Sequence, residues 1–179
     1  SALKYNLKPR FHADEIHSTG GAELAAKLGA KSADHLGAIS EIGIKMLSES
    51  NTVATLLPGT VMFLNLKNFA PARKLIDSGA IVAISTDFNP GSSPTTNLPL
   101  IMSLACSRMR MTPEETWAAV TINPAYSLDR INKIGHIAPN YKADLVIWDS
   151  TNIERIPYHY GINLVKTVIK NGKIVYEKN

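Results

Sequence analysis

Three short stretches hold the side chains that could do chemistry. Phe11-His12-Ala13-Asp14-Glu15 puts one imidazole and two carboxylates side by side, Asp34-His35 pairs a second set, and Asp87 stands just behind the apolar run 80–85. Neutral imidazole and carboxylate are both suitable ligands for divalent metals. His and Asp at the ends of different strands could therefore converge on one ion. Each residue also has a plainer reading. His35 beside Asp34 could be a structural pair, Glu15 a solvated loop residue, and Asp87 a turn residue ahead of Asn89-Pro90-Gly91. A carboxylate that closes a buried strand still needs a partner, whether metal, cation or amide. His17, His136 and His159 sit in less telling surroundings and read as surface or structural residues. Cys106 lies in the apolar run Leu100-Ile101-Met102-Ser103-Leu104-Ala105-Cys106 and reads as a buried core cysteine, not a nucleophile.

The elements that must position these groups alternate. A strand ends at Pro9-Arg10-Phe11-His12-Ala13, and a helix over 21–28 stops at Gly29. Ala33-Asp34-His35-Leu36 reads as a strand, and Ser40 as the N-cap of the next helix. Thr52-Val53-Ala54-Thr55-Leu56-Leu57 is a strand that ends at Pro58-Gly59, and 71–78 is a helix that ends at Gly79. The run 80–87 is the strongest strand, apolar almost throughout, as a strand buried on both faces should be. Two helices follow, 98–109 and 112–120, the second with Thr112, Pro113 and Glu115 forming a capping box. Repeated strand–helix units mean a parallel sheet. Four units do not close a barrel, and on pattern alone a doubly wound sheet stays open. No glycine-rich phosphate loop follows any strand. After about Asn132 the character becomes β: Ala143-Asp144-Leu145-Val146-Ile147-Trp148-Asp149 is a strand, and 165–170 and 173–176 form a hairpin across Asn171-Gly172. The expected division is 1–131 and 132–179.

Composition narrows the function class. With 45% hydrophobic and 19% charged residues, the chain is globular and not disordered. The net charge of +4 comes from scattered basic residues without interleaved aromatics, so no nucleic-acid partner is expected. No apolar stretch reaches membrane-span length, and Ser1-Ala2-Leu3-Lys4 lacks signal-peptide architecture, so no membrane association is expected. A single cysteine excludes an internal disulfide and fits the cytoplasm. The lack of an initiating Met fits a processed or truncated chain.

The same residues carry a family resemblance. Phe11-His12-Ala13-Asp14-Glu15, Ser32-Ala33-Asp34-His35-Leu36 and Ser85-Thr86-Asp87-Phe88-Asn89-Pro90-Gly91-Ser92 together resemble the second half of the imidazolonepropionase family, within the amidohydrolase superfamily. Pro113-Glu114-Glu115, Thr121-Ile122-Asn123-Pro124-Ala125, Gly135-His136-Ile137-Ala138-Pro139 and Ala143-Asp144-Leu145-Val146 support the superfamily. The resemblance implies the C-terminal half of a TIM-like (β/α)8 barrel of α/β class, plus part of a small β-sandwich. It implies one divalent metal, zinc or iron, with His12 and Asp87 as ligands. It gives catalytic roles to Glu15, His35 and Asp87, and substrate contacts to Glu15, Asn89, Gly91 and Ser92; the family often has Thr where this chain has Ser92. Asp87 would carry a proton from water to the leaving ring nitrogen, while Glu15 and His35 orient the ring or activate a second water. The implied reaction is hydrolysis of imidazolone propionate to N-formimino-glutamate, a step of histidine breakdown, and the intact enzyme would be a homodimer. The family's first-strand His-x-His is missing from this chain, as are its arginine and tyrosine for the substrate carboxylate. A fragment, inactive alone, is therefore expected. Another amidohydrolase, of the deaminase or dihydroorotase kind, and a non-catalytic α/β domain are the competing readings.

Overall fold

A computed structural model describes residues 2–5 and 7–178; the terminal Ser1 lies outside the described residues. After a 3-10 turn at Ala2–Tyr5, four short strands alternate with helices. They are β1 (Arg10–Ala13), α1 (Gly21–Lys27), β2 (Ser32–His35), α2 (Glu41–Ser48), β3 (Val53–Leu56), α3 (Pro58–Phe63), α4 (Ala72–Asp77) and β4 (Val82–Ile84). The four strands form one parallel sheet in chain order, with Ala13 level with His35, Asp34 with Thr55 and Leu56 with Ile84. Sequential order with a helix behind each strand is half of a (β/α)8 barrel. The doubly wound alternative is set aside, because its strand order would reverse within the sheet.

Two helices, α5 (Leu98–Met109) and α6 (Pro113–Val120), pack behind the sheet, and a short α7 (Ile122–Ser127) crosses beneath it. Arg10 ties α7 to the start of β1, donating to Ser127 Oγ at 3.0 Å, to the Ser127 carbonyl, and to Ser32 Oγ at 3.1 Å. Asn123 Nδ2 donates to the Val82 carbonyl at 2.7 Å, so α7 also caps one carbonyl of β4. The core between sheet and helices is made of aliphatic and thioether side chains: Ala33, Leu36, Leu47, Leu56, Leu75, Ile101 and Met102 are essentially inaccessible.

The remaining chain contributes β5 (Leu145–Trp148), a single-turn α8 (Arg155–Tyr158), β6 (Val165–Lys170) and β7 (Lys173–Glu177), the three strands forming an antiparallel sheet in that order. Asn171 and Gly172 both take positive φ, 50° and 78°, the mirror-image turn that Asn-Gly favours. Trp117 of α6 meets Trp148 of β5 edge-on at 5.6 Å and donates to the Ile153 carbonyl, which docks this sheet against the helices.

The caps expected at Ser40 and Thr112 are present: Ser40 Oγ accepts from Gly43 N at 2.9 Å, and the Thr112–Glu115 box is closed in both directions. Four expectations need correction. The last parallel strand covers only Val82–Ile84 and not 80–87, because Ala80 N is held by the Leu75 carbonyl at the end of α4 and Asp87 turns out of the extended region at φ 51°. Pro58-Gly59 does not merely end a strand but opens α3. The helices α7 and α8 were not anticipated. Cys106 is partly exposed rather than buried, although burial still pushes its thiol pKa up, against nucleophilic use.

Candidate active site

Because the sheet is parallel, all four strands end on one edge of the half barrel. His12 lies within β1, and Asp14 and Glu15 follow its end. His35 closes β2, and Asp87 follows β4 by three residues. Three of these residues, Asp14 (φ 48°), His35 (φ 77°) and Asp87 (φ 51°), have left-handed backbone, as does Leu36 (φ 65°). Such backbone costs about 1–3 kcal/mol per non-glycine residue and gathers where a site demands it.

His12 Nδ1 lies 2.9 Å from His35 Nε2. Glu15 Oε1 lies 3.4 Å from His35 Nδ1, within ion-pair reach but off the N–H direction, so the buried Nδ1 has no hydrogen-bond partner among the described residues. For neutral rings the carboxylate decides the direction of this relay. If His12 Nδ1 donates, the His35 proton sits on Nδ1, on the side of Glu15 but not hydrogen-bonded to it. In the opposite direction a lone pair of His35 would face the carboxylate. The first arrangement leaves His12 Nε2 with a free lone pair.

Asp87 is held at both ends. Its Oδ2 accepts from Thr60 Oγ1 at 2.7 Å, and its carbonyl accepts from Asn89 Nδ2 at 2.7 Å. Asn89 also donates to Ser92 Oγ at 2.8 Å, and its Oδ1 accepts from Gly91 N at 2.9 Å and Ser92 N at 2.8 Å. The polar hydrogens of Asn89, Gly91 and Ser92 are thus engaged inside one turn. A ligand would reach them only by exchanging one of these bonds.

Asp14 has a part the sequence reading did not assign. It is buried, and its carboxylate accepts from Thr19 N at 2.7 Å, Thr19 Oγ1 at 3.1 Å, Gly21 N at 3.2 Å and Ala22 N at 2.9 Å. Burial alone would push its pKa up; the backbone amides and the hydroxyl outweigh that and hold it below the ordinary carboxylate value. Asp14 therefore stitches the loop that carries Glu15 to the start of α1. Thr60 was missed as well, since nothing in Pro58-Gly59-Thr60 shows that it will meet a residue 27 positions on. An Asp immediately after the His-Ala strand end was the only available signal for the first of these.

The donor set fits part of a metal site. Among the described residues, His12 and Asp87 each have one polar atom anchored by the protein and one without a partner, Nε2 and Oδ1. Among the described residues, no three His, Cys, Asp or Glu side chains gather in position to hold a metal ion. A cavity of about 980 Å³ lies elsewhere, between α5 and α8, and is lined mainly by apolar groups.

The amidohydrolase family model matches residues 6–175. The chain belongs to the amidohydrolase family. It is 56% identical over 177 residues to the imidazolonepropionases of Bacillus mycoides (strain KBAB4) and Bacillus cereus (strain B4264), a match that covers 99% of this chain and 42% of each relative. The chain thus spans less than half the length of these curated relatives. Among solved amidohydrolase-like structures, a zinc-bound adenosine deaminase from Xanthomonas campestris superposes with a TM-score of 0.80 at 20% identity, covering 97% of this chain and 46% of that one. A 5-methylcytosine deaminase from Klebsiella pneumoniae, liganded with phosphonocytosine, gives 0.80 at 20% identity over 99% and 50%. These two likenesses establish the barrel fold.

Proposed function

We propose that this chain forms the second half of an imidazolonepropionase, which hydrolyses imidazolone propionate to N-formimino-glutamate in histidine breakdown. The observation that carries the reading is 56% identity to imidazolonepropionases over nearly the whole chain. The cluster of His12, His35 and Glu15, with Asp87 anchored after β4 on the same edge of the sheet, supplies groups such a reaction needs. His12 Nε2 and Asp87 Oδ1 are the atoms that would hold a divalent metal, zinc or iron. Bound there, the metal would lower the pKa of a water toward ~7 and polarise the ring carbonyl.

The chain's own residues do the rest. Asp87 takes a proton from the attacking water through Oδ1 and delivers it to the ring nitrogen as the carbon–nitrogen bond breaks. The carbonyl carbon becomes a carboxylate, and the released nitrogen stays in the formimino group. Glu15 and His35 accept and donate at the ring edge or hold a second water. Asn89, Gly91 and Ser92 would contact substrate by exchanging bonds of their own turn for bonds to the ligand. The reading divides the chain into barrel residues 1–131 and small-domain residues 132–179, and the intact enzyme is expected to be a cytoplasmic homodimer.

Asp87→Ala in the intact enzyme tests the assignment. Loss of several orders of magnitude in kcat, with an unchanged circular dichroism spectrum, is expected. Near-normal turnover would remove Asp87 from the mechanism. Failure of the unmodified intact enzyme on imidazolone propionate, with turnover of an aminopyrimidine or adenosine instead, would move the chain to the deaminase branch.

A further inference from the structure

We propose that Thr60 is a positioning residue for Asp87: its hydroxyl fixes one carboxylate oxygen and thereby decides which oxygen is presented to the metal and to the migrating proton. The inference rests on the reading of Asp87 as ligand and proton carrier.

Thr60 stands in the first turn of α3, directly behind the end of β3, and is only 1% exposed. Its Oγ1 lies 2.7 Å from Asp87 Oδ2, its one side-chain hydrogen bond among the described residues. An ionised carboxylate can only accept, so the threonine hydroxyl donates. Hydrogen bonds to an ionised group are roughly twice as strong as neutral ones. The rotation that turns a carboxylate about its own axis is broad and nearly two-fold, so an unanchored Asp87 would exchange its two oxygens freely. Thr60 removes that freedom. The backbone of Asp87 is already fixed by Asn89 Nδ2 on its carbonyl and by φ 51°. Oδ1 is then the uncommitted polar atom of the carboxyl group.

Packing alone does not call for a hydroxyl here. Thr60 is flanked in α3 by Pro58, Gly59 and Val61, all buried, and valine would fill the same volume. A buried hydroxyl in such a place needs an acceptor, and the acceptor is Asp87. The arrangement matches that of His12, where Nδ1 is anchored by His35 and Nε2 is free. Both proposed ligands thus share one design, with one atom bound to protein and one left for the ion.

The test compares Thr60→Val and Thr60→Ser with the unmodified intact enzyme. Zinc affinity is measured by competition with a chelator, kcat and KM on imidazolone propionate, and melting temperature on the metal-free forms. Thr60→Val should weaken zinc binding by about 10- to 100-fold, the usual effect of losing a group that orients a ligand. Its kcat should fall while KM stays close to normal. Thr60→Ser keeps the donor and should restore both. Equal zinc affinity and kcat in Thr60→Val would overturn the proposal. So would a folded Thr60→Ser as impaired as Thr60→Val, since the methyl group would then matter and not the hydroxyl. If Thr60→Val does not fold, Thr60→Ala takes its place under the same criteria. If the unmodified enzyme binds zinc but leaves imidazolone propionate untouched, the substrate reading fails, while the zinc affinities still decide the role of Thr60.

Discussion

At the scale of single residues, His12 and Glu15 differ in what they leave free. His12 keeps Nε2 open and would hold the metal. Among the described residues, Glu15 approaches His35, at 3.4 Å, and not a proposed ligand atom. His12→Ala should therefore lower bound metal, whereas Glu15→Gln should keep the metal and lose turnover. Metal analysis of both purified variants checks this, and equal metal loss in the two would show that Glu15 is also a ligand. Asp14 acts on the fold instead. Replacing it with Asn leaves amide donors of the 19–22 segment poorly paired, at a cost of about 1–3 kcal/mol at neutral pH. Its folded pKa is lowered, so the stability it confers is present above the unfolded value near ~3.9 and is lost as pH falls through the folded value. The melting difference between Asp14→Asn and the unmodified protein should shrink on acidification through that range. A difference independent of pH would contradict the assignment.

At the scale of elements, the loops after β1 and β2 are pressed together. Ala38 N donates to the Asp14 carbonyl at 2.7 Å, and Leu36 N to the Ala13 carbonyl at 3.0 Å. Gly37 is the point of closest approach: a Cβ there would lie 2.7 Å from the Glu15 carbonyl oxygen and 3.0 Å from that of Asn68. Both neighbours are backbone and cannot swing aside. Gly37→Ala should cost about 1–3 kcal/mol through overpacking and should displace Glu15. The expected signature is a lowered melting temperature together with reduced kcat, at unchanged metal content. A variant as stable and active as the original would mean that the two loops give way without consequence.

At the scale of the whole molecule, the parallel sheet has two open sides. Among the described residues, each of β1 and β4 has one neighbour in the sheet, and Asn123 caps the Val82 carbonyl of β4. The third strand of the small sheet, β7, is exposed along its length, with Ile174 and Val175 each 62% accessible. Open strand edges invite pairing with other chains. The chain also offers a divalent ion only His12 and Asp87 as proposed ligands. Taken alone, the 179 residues are therefore expected to self-associate, to bind zinc or iron weakly, and to show no turnover of imidazolone propionate. Light scattering and an assay with added metal check this. Turnover comparable to an intact enzyme would refute the catalytic part, and a monodisperse monomer would refute the part about edges.

Much of this architecture was legible in the sequence because its signals are local. Ser40 and Thr112 cap their helices through amides three residues on, and Asn171-Gly172 closes a hairpin with its own backbone. The apolar strands, the glycine stops and the motifs around His12, His35 and Asp87 likewise lie within a few residues of each other. The short helices α3, α7 and α8 were not legible, since each contains a proline and none stops at a glycine, unlike the equally short α4 ahead of Gly79. Nor were the contacts that make the site. The His12–His35 bond spans 23 residues and depends on β1 and β2 being parallel with Ala13 level with His35. Thr60 meets Asp87 only because β3 and β4 end side by side, with a helix starting at one end and a left-handed turn at the other. The sequence by itself determined which groups stand at strand ends. Which atom of each is anchored and which is free was decided by tertiary structure, because hydrogen-bond partners between strand ends follow from register and loop path, and neither is encoded within any one segment.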